Sequence, residues 1–120
     1  MRFGLKEEEL ALIIDVFRGF PQIGEVILFG SRAMGTFREN SDIDLAVKGE
    51  GLGLSDVIKI QGELEDLPLP YMFDVVAFGN ISNEALVKHI MANGKVLYWG
   101  RKSIERVSDA SDNSYGTDER

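Results

Sequence analysis

The most informative part of this sequence is FGSRAMGTFRENSDIDLAV, residues 29–47. An apolar strand ends at Gly30 and a helix start follows, so unpaired backbone N–H groups point toward any anion at the turn. Gly30 allows close approach, Ser31 can donate from its hydroxyl, and Arg32 can neutralise charge on the same group. A turn of this kind is common, so the interpretation as a phosphate site depends on the residues that follow.

The segment DIDLAV, residues 42–47, places two carboxylates on one face of a strand. Because strand side chains alternate, Asp42, Asp44 and Ala46 share a face while the apolar residues between them pack inward. Two ionised carboxylates about 7 Å apart at Cα repel each other, and a cation between them removes that cost. Mg²⁺ fits this need, since it binds one or two carboxylates together with substrate phosphates. Two solvent-facing aspartates without a ligand are the alternative.

A third carboxylate, Asp74, lies within the apolar segment YMFDVVAF, residues 71–78. A carboxylate buried without a partner is costly, so the sequence predicts a group that compensates for it. If this strand neighbours 42–47, three acids can hold two cations ~4 Å apart, the arrangement for in-line phosphoryl or nucleotidyl transfer. Asp74 could then also take the proton of an attacking hydroxyl. A structural acid bonded to amides or to an arginine is the alternative.

Outside these segments, helical and strand periods alternate along the chain. Ser82 is the predicted N-cap of the last helix, because serine accepts hydrogen bonds from the first helical amides. The predicted helices cover 6–17, a short piece within 31–37 that fails at Gly35, about 55–67, and 83–92. The predicted strands cover 25–29, 42–47, 71–78 and 95–99. The predicted order is therefore α-β-α-β-α-β-α-β.

Composition excludes several classes of function. The 120 residues, 44% of them apolar, suffice for one core, and the net charge of -7 argues against a nucleic-acid partner. There is no cysteine and one histidine, which excludes thiolate zinc sites and imidazole cages. No window approaches the ~20 apolar residues of a membrane span, so we expect a cytoplasmic protein without a membrane partner.

Residues 101–120 are polar, and we predict a disordered tail after a domain at 1–100.

Gly30-Ser31, ten further residues, Asp42-x-Asp44 and a late Asp74 are together similar to the signature of the nucleotidyltransferase superfamily that includes DNA polymerase β and kanamycin nucleotidyltransferase. The fuller string GSRAMGTFRENSDIDLAV most closely resembles the minimal nucleotidyltransferase (MNT) proteins of HEPN/MNT toxin–antitoxin pairs. The resemblance covers about residues 5–100. It implies an α+β nucleotidyltransferase fold, a mixed sheet of about four strands with helices packed on it. Family members often have a second arginine where this chain has Met34, so one phosphate contact of those proteins is absent here.

The resemblance also implies a nucleotide site and a metal site. By position, Gly30 and Ser31 would hold the triphosphate, and Arg32, whose charge can neutralise an anion at the turn, completes the predicted nucleotide-binding residues. The catalytic and metal-binding residues would be Asp42, Asp44 and Asp74. The implied reaction transfers AMP from ATP to a hydroxyl with the help of Mg²⁺, as two ions. In HEPN/MNT pairs the acceptor is a tyrosine of the HEPN ribonuclease toxin, so a HEPN-type toxin is the expected partner.

Two other functions are compatible with the sequence. One is a nucleotidyltransferase for a small acceptor such as an aminoglycoside, working as a dimer or with a separate substrate-binding subunit. The other is a non-catalytic antitoxin that neutralises its toxin by contact alone. A small acceptor normally needs added structure to hold it, and this short chain offers little, which favours an acceptor carried on another protein. Both homo-oligomers and hetero-oligomers agree with the sequence.

Overall fold

The computed structural model describes residues 1–100, so the predicted tail at 101–120 lies outside the described residues. Helices and strands alternate along the described part in the predicted order. The helices are α1 (Glu7–Arg18), α2 (Ser31–Met34), α3 (Leu54–Glu65) and α4 (Glu84–Asn93). The strands are β1 (Glu25–Phe29), β2 (Ile43–Lys48), β3 (Phe73–Ala77) and β4 (Lys95–Trp99), and a 3₁₀ turn, Phe78–Asn80, follows β3. None of the helices within residues 1–100 has the length and apolar character needed to cross a bilayer.

The strands form one mixed sheet in the order β3-β2-β1-β4. β1 pairs antiparallel with both β2 and β4, whereas β2 and β3 are parallel. A parallel pair needs a crossover connection, and α3 supplies it between β2 and β3. The prediction of an α+β fold with a mixed four-stranded sheet is confirmed.

One face of the sheet carries the main core. The alternation predicted for β2 is present, because Ile43, Leu45 and Val47 are all buried there. The apolar stripes of α1 and α3 cover this face, and each fully buried side chain contributes roughly 1.5–3 kcal/mol. The buried residues of the two helices are Leu10, Ile13, Phe17, Val57, Ile60 and Leu64.

The opposite face is covered at one end only. Ile90 of α4 packs there with Ile27, Phe29 and Ala46 in a small second cluster. Ala46, which alternation places on the same face as the aspartates, is therefore buried under α4. The end of β2 near Asp44 remains open to solvent, and the candidate site lies at this open end.

Two helix ends test the predicted turn residues. Gly35 follows α2 in the left-handed conformation, with φ of 80°, as its predicted role as helix terminator requires. The N-cap of α4 is Asn83, whose side chain accepts a hydrogen bond from the N–H of Leu86 at 3.2 Å. The prediction of Ser82 as this cap was wrong by one residue, because asparagine and serine cap helices about equally well.

Candidate active site

The site begins at the turn between β1 and α2. Gly30 has φ 76° and ψ -154°, a backbone conformation that is essentially restricted to glycine. A Cβ atom at this position would overlap Oδ2 of Asp44. Gly30 therefore gives the turn its shape and also leaves room for a carboxylate. Ser31 begins α2, and the first amides of a helix have no acceptor within it, so they are available to phosphate oxygens.

Three aspartates lie at the same end of the sheet. Asp44 of β2 stands directly opposite Asp74 of β3 in the parallel register, so both side chains project from the same face. Asp42 precedes β2 by one residue and shares that face by alternation. Asp42 and Asp74 are exposed, and Asp44 is half-buried. The structure thus brings together the three predicted acids and the Gly30–Ser31 turn.

The electrostatics of this arrangement appear in the pKa of Asp44. Burial raises this pKa, and the negative charges of Asp74 and Asp42 raise it further. Asp74 and Asp42 are therefore each close enough to Asp44 for their charges to repel its ionised form. A bound divalent cation would remove this repulsion, because it is the largest local charge of opposite sign.

The family model for polymerase beta nucleotidyltransferases matches residues 12–102. The chain belongs to this family. The predictions of a nucleotidyltransferase fold and of a nucleotidyltransferase enzyme are confirmed.

Solved structures agree with the fold of this nucleotidyltransferase. A toxin–antitoxin protein crystallised with AMP-PNP is 24% identical, has a TM-score of 0.64, and aligns over 93% of this chain and 92% of its own. A chain from the complex of a tri-AMPylated Shewanella oneidensis HEPN toxin with its MNT antitoxin is 21% identical, with a TM-score of 0.62 and coverage of 93% and 87%. An MntA–HepT toxin–antitoxin chain is 20% identical, with a TM-score of 0.61 and coverage of 92% of both chains. None of the curated proteins compared with the chain matches it.

The acids of the nucleotidyltransferase fit Mg²⁺ by their chemistry. Within residues 1–100, acidic and histidine side chains do not form a ready-made cluster of three metal ligands. The donor set consists of carboxylate oxygens, which are the ligands that Mg²⁺ prefers. Two of the three acids are exposed, and exposed side chains change rotamer within nanoseconds, so they can turn toward an ion.

The environment of Asp74 differs from the sequence prediction. The expectation of a buried acid that needs a compensating partner was wrong, because Asp74 is exposed. β3 is the outer strand of the sheet, and Asp74 projects from the face that α4 leaves open. The charge of Asp74 instead acts on its half-buried neighbour Asp44, whose pKa it helps to raise after burial.

The structure does not bring Arg32 to the anion turn. Its side chain is 1% exposed, and its guanidinium donates to the carbonyl of Phe3 at 2.9 Å and to that of Ser41 at 2.9 and 3.1 Å. The guanidinium carbon also lies over the rings of Phe37, at 5.2 Å, and Tyr71, at 4.9 Å. Burial lowers the pKa of this group.

The predicted phosphate role of Arg32 in the nucleotidyltransferase therefore stays a prediction. The contacts in the structure give the guanidinium a different role, because its hydrogen bonds go to backbone carbonyls of the interior. Arg32 instead fixes the segment 36–41, which leads directly into Asp42. Its effect on the site is therefore exerted through the loop.

Sequence reasoning missed Gln61 of α3. Its amide bonds to the backbone of β3 on both sides of Asp74. A lone glutamine on a helix carries no sequence signal of such a role, since its partners lie on the next element, 12 and 14 residues further along the chain. Only the packing of α3 beside β3 reveals it.

Proposed function

We propose that this nucleotidyltransferase transfers AMP from ATP to a tyrosine hydroxyl of a HEPN-type toxin and thereby acts as an antitoxin. The observation that carries the proposal is the alignment of Asp44 with Asp74 beside the Gly30–Ser31 turn. Solved structures of this fold include one crystallised with AMP-PNP and one whose HEPN toxin is tri-AMPylated, which supports the choice of donor and acceptor.

In the proposed mechanism, the amides at the start of α2 and the Ser31 hydroxyl donate to oxygens of the triphosphate. Asp42, Asp44 and Asp74 would hold Mg²⁺, as two ions. When bound, the metal would supply positive charge against the triphosphate and would lower the pKa of the attacking hydroxyl. Asp74 accepts the proton of that hydroxyl. The acceptor oxygen bonds to the α-phosphorus as the bond to pyrophosphate breaks, which leaves AMP on the acceptor.

The surroundings of the acids suit an acceptor carried by a protein. Asp74 lies on the outer strand and is exposed, so a large acceptor can reach it. Met34, at the end of α2, is 53% exposed, and Met72, two residues before Asp74, is 72% exposed. Exposed methionines provide adaptable apolar contact area for a partner surface.

The test is transfer of label from ATP to a HEPN toxin by the purified chain with Mg²⁺. We expect labelling by the wild type and its loss, by about a hundredfold or more, in Asp44→Asn, because that change removes a metal ligand and a charge. Asp15→Asn is the matched control, since Asp15 is an exposed acid of α1 paired with Arg18. It should retain full labelling.

Other results would redirect the proposal. Unchanged labelling in both Asp42→Asn and Asp44→Asn would contradict it. Label on an aminoglycoside without any partner protein would indicate a small acceptor. Full neutralisation of the toxin by the Asp42→Asn/Asp44→Asn double variant would indicate inhibition by contact alone.

A further inference from the structure

Gln61 joins helix α3 to the backbone of strand β3. Its side-chain oxygen accepts a hydrogen bond from the N–H of Val75 at 3.0 Å, and its side-chain nitrogen donates to the carbonyl of Phe73. These two backbone groups flank Asp74 on either side. Glu65, one turn further along α3, accepts from the same nitrogen at 2.9 Å, which orients the amide.

The amide of Gln61 takes the place of a missing strand. β3 is at the edge of the sheet, with β2 on its inner side. The carbonyl of Met72 points inward, since it accepts from the N–H of Ile43 at 2.9 Å. Because backbone groups alternate along a strand, those of Phe73 and Val75 point outward. Gln61 bonds to the carbonyl of Phe73 and to the N–H of Val75, as the backbone of a neighbouring strand would.

This anchoring matters at Asp74 because that position is under repulsion. Asp74 faces the like charge of Asp44 across the sheet, and an edge strand has hydrogen bonds from one neighbour only. Both conditions favour local separation of β3 from β2. A two-point bond centred on Asp74 opposes that separation.

We infer that Gln61 is a positioning residue, which holds Asp74 opposite Asp44 so that the two carboxylates can share metal ions. The inference rests on the proposed function, which assigns the three aspartates as metal ligands. Its chemistry is specific to an amide, which offers a donor and an acceptor at a fixed separation. Glutamate keeps only the acceptor, and methionine keeps the length and helix propensity of glutamine without either group.

The experiment compares Gln61→Met with the wild type and with Gln22→Met. Gln22 is the matched control, because it is another half-buried glutamine, whose nitrogen donates at 2.8 Å to Asp56, a residue of α3 and not of the strands that carry the acids. Each chain is assayed for transfer from ATP over a range of Mg²⁺ concentrations. Mn²⁺ binding to each chain is measured separately by electron paramagnetic resonance, which requires no activity.

We expect Gln61→Met to raise the half-saturating Mg²⁺ concentration and the Mn²⁺ dissociation constant about tenfold, as loss of a group that supports metal ligands typically does. The KM for ATP should stay within about twofold of the wild type. Gln22→Met should lower the Tm but leave both metal constants unchanged. If Gln61→Met does not fold, Gln61→Glu carries the same comparison, since it keeps the bond to Val75.

Metal constants equal to those of the wild type in the Gln61 variant would overturn the inference, whatever happens to its Tm. An inactive wild type would contradict the proposed function, and Mn²⁺ binding then decides the role of Gln61 by itself. Weaker Mn²⁺ binding in Gln61→Met would still support that role. Equal binding, or no binding by either chain, would refute it.

Discussion

Gly30 and Asp44 form a single steric unit, although they lie on different elements. The backbone of Gly30 has a conformation that other residues avoid, and the carboxylate of Asp44 occupies the place where a side chain would stand. The close approach keeps Asp44 beside the amides at the start of α2. A metal ion bound by Asp44 would therefore lie next to phosphate oxygens bound at the start of α2.

The change Gly30→Ala tests this unit. It should lower the free energy of unfolding by about 1–3 kcal/mol, the usual cost of such backbone strain. It should also reduce nucleotidyl transfer about a hundredfold, because the new Cβ displaces the carboxylate of Asp44. Thermal unfolding and the initial rate of transfer are the measurements.

Gly35→Ala is the control for backbone strain alone. Gly35 has φ of 80°, but a Cβ there has nothing within 4 Å. The change Gly35→Ala should lower the free energy of unfolding by about 1 kcal/mol and leave the rate of transfer near that of the wild type. An equal loss of rate in both variants would show that the overlap with Asp44 is not the cause.

The connection from α2 to β2 is fixed by a buried side chain, that of Arg32. Arg32 donates to carbonyls of Glu39 and Ser41, and the hydroxyl of Ser41 accepts from the N–H of Arg38 at 2.7 Å. The ten residues between Ser31 and Asp42 therefore have a fixed conformation as well as a fixed length. The length determines where Asp42 lies relative to Ser31, and the hydrogen bonds of Arg32 hold the conformation.

Arg32→Lys separates this structural role from a phosphate contact. Lysine keeps the charge but lacks the planar fork that reaches several carbonyls at once, so buried acceptors lose their donors. We expect the free energy of unfolding to fall by about 2 kcal/mol or more, as measured by urea denaturation. Arg38→Lys, at an exposed position of the same connection, should cost almost nothing. An unchanged unfolding midpoint with a raised KM for ATP would restore the phosphate role.

Sequence patterns predicted the elements well because each pattern is local. The alternation in 42–47 and the helical spacing in 6–17 record which side of an element is buried, and the chain follows them. The side-chain direction of Arg32 could not be predicted, because its partners at Phe3, Glu39 and Ser41 are scattered along the chain. Local patterns carry no information about such contacts.

For the whole molecule, the uneven covering of the sheet decides where chemistry can occur. Two helices close one face, while α4 closes only part of the other. The motif spacing predicted which acids belong to the site. It did not predict that Ala46 is buried or that Asp74 is exposed, since both depend on where α4 packs and on β3 being an edge strand. The assignment of 1–100 as the domain stays a prediction.

Stability of the whole molecule should reflect the cost of this open acidic site. Burial, and then the charges of Asp74 and Asp42, raise the pKa of Asp44. A raised pKa means that the folded state binds the proton more tightly, so ionised Asp44 destabilises the metal-free protein above its folded pKa. We expect Asp44→Asn to raise the Tm in EDTA by about 2–4 °C at neutral pH. This gain should shrink as the pH falls through the raised pKa of Asp44 toward the ordinary pKa of an aspartate, because wild-type Asp44 then becomes protonated and loses the unfavourable charge.

Thermal scans in EDTA across this range measure the effect, with Asp15→Asn as the control. Asp15 lies in an exposed pair with Arg18, and such pairs contribute little, so its Tm should match the wild type. A Tm of Asp44→Asn at or below that of the wild type at neutral pH would refute the expectation.

The parallel pairing of β2 with β3 also has a consequence for the order of events during synthesis. β1 and β2 leave the ribosome early and can form a hairpin, which already presents Asp42 and Asp44 beside Gly30. Asp74 joins them only after the whole α3 crossover has emerged and closed, a slower step than hairpin formation. We therefore expect the nascent chain to place two of its three acids first and to complete the acidic site only once the edge strand has docked.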